Sequence, residues 1–562
     1  MPLRPTGALA IVLAMALCAG PFRSSGPDTG SVIVHAAARF DTSLPLGSLA
    51  ATNASSTSEA RAGPDCGTSP ASEFGTTPEN PKLLDPPKSV PGAAVEQRSQ
   101  GTKPPLPVIE SFDGLGFGFE GPQGSAAGRN PSDNSLAVGP DHIVQIVNSR
   151  LAVFSKQGRF FKSTGRVLYG AVPTNTIFKG FGGPCEARNN GDAVVRYDQL
   201  ADRWLIVMPL FQRIPDQPDE PYSVCYAVSQ GPDPLGPYHR YEFRRKLFPD
   251  YPRPAIWRDG YYVATSTGDT VIQKHCCIAD RARMLKGQPA TEQCIIIDGV
   301  NFLNNADIEG RRLPPRGAPN IMMAAGGTQL KNILQDDVIY VWKVHVDWKR
   351  PANTKAEGPD KIAVSPYHYL CGGQLTNCVP QPDTTCRLDA QGDKIMQRLV
   401  YRNFGDHESI VALHSVDTEA GGGGLRWYEF RLNRKHDPYL YQQSTFAPDS
   451  FYRWMGSISI DKFGDIGMGY SFGGKPYYPG QRFAARSAGD PLGFLTFRET
   501  VLAEGEAAQT TGNRWEDYST AAMDPADDCT FWYVGDYVKK GATTYSTRIA
   551  SFRLPACQAS AM

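Results

Sequence analysis

A loose unit recurs along most of this chain and limits its fold more than any other feature does. Each unit opens with a polar, often acidic cluster and continues as a short strand of alternating apolar residues. An Asp-containing turn then leads to a strand rich in aromatic and β-branched residues. Clear units begin at 132, 191, 250, 405, 453 and 514, and a weaker one runs through 320–348. Their starts lie roughly 45–80 residues apart, which is typical of repeat architectures.

Units of about four short strands predict the blades of a propeller. A single blade cannot bury both of its faces, so several must close into a ring. We therefore predict an all-β chain that folds as a single β-propeller of seven four-stranded blades, with six as the alternative count. A two-sheet sandwich is the rival fold, but it explains the repeated polar openings less well.

The first part of the chain differs in character from the repeats. Arg4 precedes an apolar run over 8–19, which fits a secretory signal peptide over 1–20 and is too short to span a bilayer. Cys18 suggests a lipoprotein as an alternative, although Leu17 before it is bulky. Residues 21–105 are rich in Ser, Thr, Ala, Gly and Pro, so we expect a disordered leader before a propeller domain over 106–562. The protein is expected to be secreted, either periplasmic or extracellular.

Charge and hydropathy narrow the range of partners. Lys and Arg together number 57, and Asp and Glu together also number 57. No overall field draws such a chain to nucleic acid or to an anionic membrane. No segment after the leader approaches the length of a membrane span. We expect a monomer whose partner is an extracellular glycan or a cell-surface protein.

Twelve cysteines are present, and removing Cys18 with the signal peptide leaves eleven. One of these is therefore unpaired, pairs between molecules, or has a partner that the sequence does not reveal. Export permits disulfides, and plausible pairs are Cys185–Cys225, Cys371–Cys378 and Cys529–Cys557. The last pair would tie the final strand into the final sheet. The segment around 350–395 contains several of these cysteines and is long for a blade connection, so we expect it to shape a mouth of the channel.

Several long motifs carry a family resemblance. They are GFGGPC over 180–185, GDAVVRYDQLADRWLIV, RNFGDHESIVALHSVD, APDSFYRWMGSISIDKFGDIGMGYS and RWEDYSTAAMDPADDCTFWY. With them the chain resembles a group of largely uncharacterised secreted bacterial β-propeller proteins. That resemblance implies a propeller but no catalytic assignment. At the level of fold alone the chain is similar to sialidase-like propellers, although it lacks their repeated Asp-box, S-x-D-x-G-x-x-W. This similarity raises the expectation of a carbohydrate ligand only modestly.

In a propeller the innermost strands begin at one mouth of the central channel, so the residues that open them converge there. Two carboxylates at such a place can act as acid and base on a glycosidic bond. The candidate catalytic residues are Asp133, Asp192, His407, Glu408 and Asp517. Arg side chains can hold acidic sugars in bidentate contacts, and indole rings can stack on sugars. The candidate ligand-binding residues are Arg402, Arg453, Trp454, Arg514 and Trp515.

Hard oxygen ligands also suggest a metal. Asp133, Asp192 and Asp250 are suited to Ca²⁺, and we expect no other cofactor. The structural alternative is that these Asp and Arg residues bond to backbone groups of the next blade and hold the ring together.

Three functions remain open from the sequence. A non-catalytic propeller that binds a glycan at the channel mouth is the first. The second is a secreted glycoside hydrolase or polysaccharide lyase that uses the carboxylates, His and Arg named above. The third is another enzyme class or a structural role in the cell envelope.

Overall fold

A computed structural model of the protein describes residues 32–49, 90–126, 130–210, 222–267, 273–300, 302–327, 336–373 and 377–560. The expected signal peptide lies outside these residues. The chain is all-β, as the sequence predicted, and most of its strand pairs are antiparallel. No helix in the described ranges is long and apolar enough to cross a membrane.

Seven antiparallel units follow one another through the described residues, numbered 1 to 7 in chain order. Unit 1 consists of Ser135–Val138, His142–Val147, Arg150–Ser155 and Val167–Pro173. Unit 2 consists of Val194–Asp198, Arg203–Leu210, Tyr222–Ser229 and Tyr238–Arg245. Unit 3 consists of Asp250–Ile256, Tyr261–Thr267, Gln273–Ala279 and Thr291–Asp298. Unit 4 consists of Asn304–Ile308, Asn320–Ala325, Val338–His345 and Lys355–Ala363. Unit 5 consists of Leu399–Asn403, Glu408–Asp417, Gly423–Leu432 and Pro438–Phe446. Unit 6 consists of Tyr452–Ile460, Ile466–Gly474, Tyr477–Arg486 and Thr500–Ala503. The first three strands of unit 7 are Thr520–Met523, Thr530–Tyr537 and Ser546–Arg553.

The first strands of the units form an unbroken series of contacts. Each contacts the first strand of the next unit, and the first strand of unit 7 contacts that of unit 1. Units 4 and 5 are joined most closely, because their first strands pair in parallel with Ala306 opposite Leu399. The apolar core lies in layers between units. Val144 of unit 1, for example, shares a buried cluster with Trp204 and Met208 of unit 2.

Unit 7 takes its fourth strand from the N-terminal part of the chain. Val108–Asp113 pairs antiparallel with Ser546–Arg553, the last strand of the chain. Segments more than 430 residues apart in sequence, such as Ile549 and Phe112, therefore lie side by side in one sheet. Backbone hydrogen bonds and apolar contacts at this pairing join the two ends of the series of units.

The described residues before this strand differ from the expected disordered leader. Ile33–Ala36 adds a fifth strand to unit 3, Arg39–Thr42 adds one to unit 2, and Glu96–Gln97 pairs with the last strand of unit 5. Leu46 is buried, which contributes about 1.5–3 kcal/mol. The outer edges of the sheets supply hydrogen-bond partners that these short segments lack on their own. The expectation of disorder thus does not hold for residues 32–49 and 90–105.

Helices are few and short among the described residues. The α-helices are Gly183–Ala187, Arg281–Met284 and Pro555–Ser560, and the 3₁₀ turns are Leu46–Ser48, Ala93–Val95, Thr174–Phe178, Pro351–Asn353 and Leu370–Gly372. Two small hairpins complete the described secondary structure, Phe119–Gly121 with Gly124–Ala126 and Asn377–Pro380 with Arg387–Asp389.

All three predicted disulfides are present. A fourth pair joins them, so the disulfides with both cysteines in the described residues include Cys185–Cys225, Cys277–Cys294, Cys371–Cys378 and Cys529–Cys557. One detail differs from the expectation. Cys557 lies in the helix after the last strand, so its disulfide anchors that helix rather than the strand. Cys276 is a free, buried thiol.

Candidate functional site

The residues that lead into the first strands meet at one edge of the molecule, which we call the upper edge. Asp133 and Asp192 each lie two residues before a first strand, and Asp250 begins one. Asp133, Asp192 and Asp517 share a left-handed backbone, with φ of 50°, 52° and 62°. Few non-glycine residues adopt this conformation, and Asp is among those that tolerate it best. One local backbone geometry therefore accompanies a carboxylate at the upper edge in three units.

Three of these carboxyl groups lie in a row. The carboxyl group of Asp192 adjoins those of Asp133 and Asp250. Asp133 Oδ2 also accepts hydrogen bonds from Asn148 Nδ2 at 2.7 Å and from the backbone N–H of Asp192 at 3.3 Å. Burial raises the pKa of all three carboxyl groups, and the charge of the Asp517 carboxylate raises each of them further.

Two more carboxylates are held by one arginine. Arg514 Nε donates to Asp389 Oδ2 at 2.8 Å, and its NH2 group donates to Asp517 Oδ1. Asp389 is fully buried, and this burial raises its pKa to about 6. Arg514 keeps 37% of its side chain exposed, so it is the part of this group that reaches solvent. We call Asp133, Asp192, Asp250, Asp389 and Asp517 the acidic cluster.

Asp389 belongs to the long connection between units 4 and 5, which crosses to units 6 and 7. Gln381 exchanges two hydrogen bonds with the backbone of Gln509, at 2.8 Å and 3.0 Å. Farther along the connection, Gln391 Nε2 donates to Asp517 Oδ1. The connection thus shapes the upper edge, where the sequence had suggested a mouth.

Aromatic and cationic side chains line the upper edge beside the acidic cluster. The ring of Tyr251 contacts those of Phe302 and Tyr518, with centroids 5.6 Å and 5.2 Å apart. Lys394 Nζ lies 4.5 Å from the centroid of Phe302, and the guanidinium of Arg253 lies 5.0 Å from that of Tyr251. Burial lowers the pKa of Arg253 to about 10. Acidic, cationic and aromatic groups therefore adjoin one another here.

Below the acidic cluster, ion pairs fill the space between the first strands. Arg398 Nε lies 2.6 Å from Asp307 Oδ2, and its NH1 group lies 2.6 Å from Glu309 Oε2. Arg196 lies 3.5 Å from the same Asp307 carboxylate. A cavity of ≈ 20 Å³ remains beside them, about the space of one water molecule. A ligand at the upper edge is therefore separated from the opposite edge by buried charged side chains.

Three predicted site residues lie at the opposite, lower edge. Arg402 is near the end of the first strand of unit 5, and both of its terminal nitrogens donate to Asp528 at 2.8 Å. His407 stacks on Phe404 at 4.6 Å, and Glu408 Oε2 lies 3.2 Å from the imidazole of His436. The repeat pattern predicts that the segment around 405 opens a first strand. It is instead the turn into the second strand of unit 5, which reverses the edge on which it lies.

Three other predicted residues are buried. Arg453 is 0% exposed and lies 2.8 Å from Asp449 and 2.7 Å from Glu499. Trp454 and Trp515 pack against each other with ring centroids 6.2 Å apart, and neither is exposed. None of these three side chains presents a surface to a ligand. Among the predicted site residues, the upper edge thus brings together Asp133, Asp192, Asp250, Arg514 and Asp517.

A larger depression lies elsewhere, between units 6 and 7. It has a volume of ≈ 630 Å³ and is lined by ion-paired side chains. Asp113 lies 2.9 Å from Lys539 and 2.8 Å from Arg548, and Tyr537 donates to it at 2.8 Å. Because Asp113 already accepts from all three neighbours, their polar atoms are largely satisfied within the protein.

The sequence analysis missed Asn148, Tyr251, Phe302 and Asp389 at the upper edge. Tyr251 follows the predicted Asp250 directly, so its neighbourhood could have suggested it. Asp389 and Phe302 lie in connections with no repeated pattern, and only their tertiary contacts bring them to the cluster.

Comparisons with known proteins find similarity among solved structures. No protein-family model and no curated protein sequence matches it. Among solved structures, it is similar to a protein of unknown function from Dyadobacter fermentans, with 8% identity, a TM-score of 0.34 and coverage of 80% of this chain and 100% of that chain. PorZ, a surface component of the type-IX secretion system of Porphyromonas gingivalis, has 10% identity and a TM-score of 0.29, with 76% and 38% covered. An exo-1,5-α-L-arabinanase from a bovine ruminal metagenomic library has 9% identity and a TM-score of 0.26, with 64% and 93% covered.

Proposed function

We propose that the seven units close into one seven-bladed β-propeller. The series of contacts between first strands, from unit 1 through unit 7 and back to unit 1, supports this closure. The fourth strand of unit 7, supplied from the N-terminal side, supports it independently. On this proposal the upper edge is one mouth of the central channel, and the buried ion pairs of Arg196 and Arg398 fill the channel below it.

On this architecture the protein is an extracellular monomer that binds a glycan at the upper mouth, with no catalytic step assigned. The observation that carries this proposal is the convergence of the acidic cluster, the partly exposed Arg514 and the half-buried ring of Phe302 at one mouth. Sugars present hydroxyl groups that donate to carboxylates, and apolar ring faces that pack on aromatic side chains. Sites for small ligands typically combine an aromatic or apolar surface with a small number of polar groups that point to one place. The four disulfides seen within the described ranges support an extracellular location.

A carbohydrate-active hydrolase or lyase is the second candidate, because the acidic cluster contains carboxyl groups with raised pKa. A general acid must hold its proton near neutral pH, and burial raises the pKa of Asp389 to about 6. Asp192 has a raised pKa as well and retains a little contact with solvent. Raised pKa values also occur in purely structural clusters, so binding without turnover is the first choice.

A glycan array and a polysaccharide digestion screen of the purified protein test both candidates. Arg514→Lys keeps the charge but loses the planar fork that spans two carboxylates. We expect glycan binding to weaken at least about tenfold, a change of about 1.4 kcal/mol. The matched control is Arg311→Ala, at the lower edge with a side chain 56% exposed, which is expected to leave binding unchanged.

The outcomes separate the candidates. Binding without product release, lost in Arg514→Lys, supports the binding function. Release of sugar products establishes the enzyme instead. If no glycan binds, or if both variants bind as the wild type does, the upper mouth is not a glycan site and a cell-surface protein becomes the partner to seek.

A further inference from the structure

The row of Asp133, Asp192 and Asp250 contains a buried oxygen atom that the protein itself does not satisfy. Asp133 is fully buried, and its Oδ1 atom has no hydrogen-bond partner. Its other oxygen, Oδ2, is fixed by Asn148 and by the backbone of Asp192. A buried polar atom without a partner costs about 1–3 kcal/mol, and more if it is charged. Such an atom within a group of carboxylates points to a missing positive charge.

A second unsatisfied atom adjoins the same place. The hydroxyl group of Tyr518 is buried without a hydrogen-bond partner, and Asp133 and Asp192 are the two carboxylates that act most strongly on it. The guanidinium of Arg514, which acts on Asp133, is already held by Asp389 and Asp517. Arg253 and Lys274 act on Asp250, whereas the charges that act most strongly on Asp192 are other carboxylates.

Adjacent carboxylates in a buried site have two ways to coexist. They share protons, or they bind a cation. Asp133 is fully buried and Asp192 nearly so, and a charge in such a place is poorly screened by water. A divalent cation between the two carboxylates balances both charges.

Other groups of three potential ligands in the described residues are unsuitable. Two such groups have their ligand atoms within 4.8 Å of one another: His35, Glu292 and Cys294, and Asp527, Cys529 and Cys557. Both depend on cysteines that are bonded in disulfides and cannot act as thiolates. The three aspartates do not form a group that compact, so a direct ion would contact two of them.

We propose that Asp133 and Asp192 bind a hard divalent cation, Ca²⁺ being the best match, with Asp250 held to it through water. The ligands are all oxygen atoms, which favour Ca²⁺ and Mg²⁺ over softer metals. The cation joins the openings of units 1, 2 and 3 at the upper edge. This site stands on the carboxylate geometry alone and does not depend on the proposed glycan ligand.

Tb³⁺ luminescence, calcium titration calorimetry and thermal melting test the site on the full protein. Tb³⁺ replaces Ca²⁺ and is excited through nearby tyrosines, which Tyr251 and Tyr518 supply. The variants are Asp133→Asn and Asp192→Asn, because Asn tolerates the left-handed backbone as Asp does. The control is Asp406→Asn, whose side chain is 83% exposed at the lower edge.

We expect Ca²⁺ to bind the wild type and the control equally, and either variant at least about tenfold more weakly. We also expect the order of melting temperatures to reverse. With Ca²⁺ the wild type melts higher than Asp192→Asn, because ligand binding stabilises the folded state. With EDTA the variant melts as high or higher, because it removes one of three repelling carboxylates. A purely structural role of Asp192 gives no such reversal.

The proposal is overturned if the wild type shows neither Tb³⁺ nor Ca²⁺ binding and melts at the same temperature in Ca²⁺ and EDTA. It is equally overturned if both variants bind Ca²⁺ as tightly as the wild type. Should Asp133→Asn fail to fold, the half-buried Asp250→Asn decides: a weaker loss of affinity than in Asp192→Asn supports the site, and no loss contradicts it. These binding and melting measurements do not involve a glycan, so a failed glycan screen does not change their interpretation.

Discussion

Arg453 shows how a residue typical of ligand sites serves inside a blade. Its guanidinium contacts two carboxylates, Asp449 and Glu499, while its side chain is wholly buried. Each partner neutralises a charge that would otherwise be desolvated, and Tyr470 donates a further hydrogen bond to Glu499 at 2.6 Å. The pair of ion contacts joins the connection after unit 5 to the last part of unit 6.

Arg453→Met is expected to lower the free energy of unfolding by about 3–5 kcal/mol, because the buried Glu499 loses its closest cation and keeps only Arg482, 3.7 Å away. Urea denaturation of the variant and the wild type measures the change. Arg311→Ala is the matched control, since Arg311 pairs with Asp202 at the surface and such pairs contribute less than about 1 kcal/mol. Similar losses in both variants would show that burial does not determine how much an ion pair contributes to the free energy of unfolding.

At this scale the sequence predicted residue types better than residue positions. Asp133, Asp192 and Asp250 were expected to meet because each precedes a strand in the same repeated context, and the structure places them in contact. His407 and Glu408 stand in a context that looks the same, yet lie at the other edge. An acidic opening before an alternating strand does not state whether the strand is first or second in its unit, and only the pairing of strands decides that.

At the scale of elements, the disulfides separate long-range from local constraints. Cys529 and Cys557 are 28 residues apart and enclose the last two strands of unit 7, whereas Cys371 and Cys378 are 7 apart within one connection. In the loop-entropy account the longer loop restricts the unfolded chain more.

Replacing Cys529 and Cys557 together by Ser is expected to lower the free energy of unfolding by about 3–4 kcal/mol, from the entropy of the open loop. The same replacement of Cys371 and Cys378 is expected to cost about 2–3 kcal/mol, because its loop is shorter. Denaturation under non-reducing conditions measures both. A larger loss from the shorter loop would mean that the 371–378 segment supports the upper edge directly.

The short strands before residue 106 could not be recognised from amino-acid composition. IVHA and RFDT, the strands at 33–36 and 39–42, are each four residues long and flanked by residues typical of linkers. Strands this short carry little pattern of their own, and they form because units 2 and 3 offer unpaired edges. Long, repeated blade strands were therefore recognisable in the sequence, while added edge strands were not.

At the scale of the whole molecule, one pairing joins the ends of the chain. The strand Val108–Asp113 completes unit 7, and its Phe112 packs on Phe154 of unit 1 with ring centroids 5.2 Å apart. The fold thus depends on contacts between residues that are far apart in sequence. Such contacts form late in folding, because closing a long loop costs entropy before the contacts compensate for it.

Two truncated chains test whether this pairing closes the ring. A chain that begins at Val90 lacks the added strands of units 2 and 3 but keeps Val108–Asp113, so we expect it to fold and to melt cooperatively at a lower temperature. A chain that begins at Ser132 also loses the fourth strand of unit 7. Its last strand, Ser546–Arg553, then presents a free edge, and we expect aggregation or loss of the cooperative transition. Thermal melting with light scattering records both behaviours. If the two chains melt alike, the units hold together without the N-terminal strand, because contacts between first strands alone then suffice to keep unit 7 against unit 1.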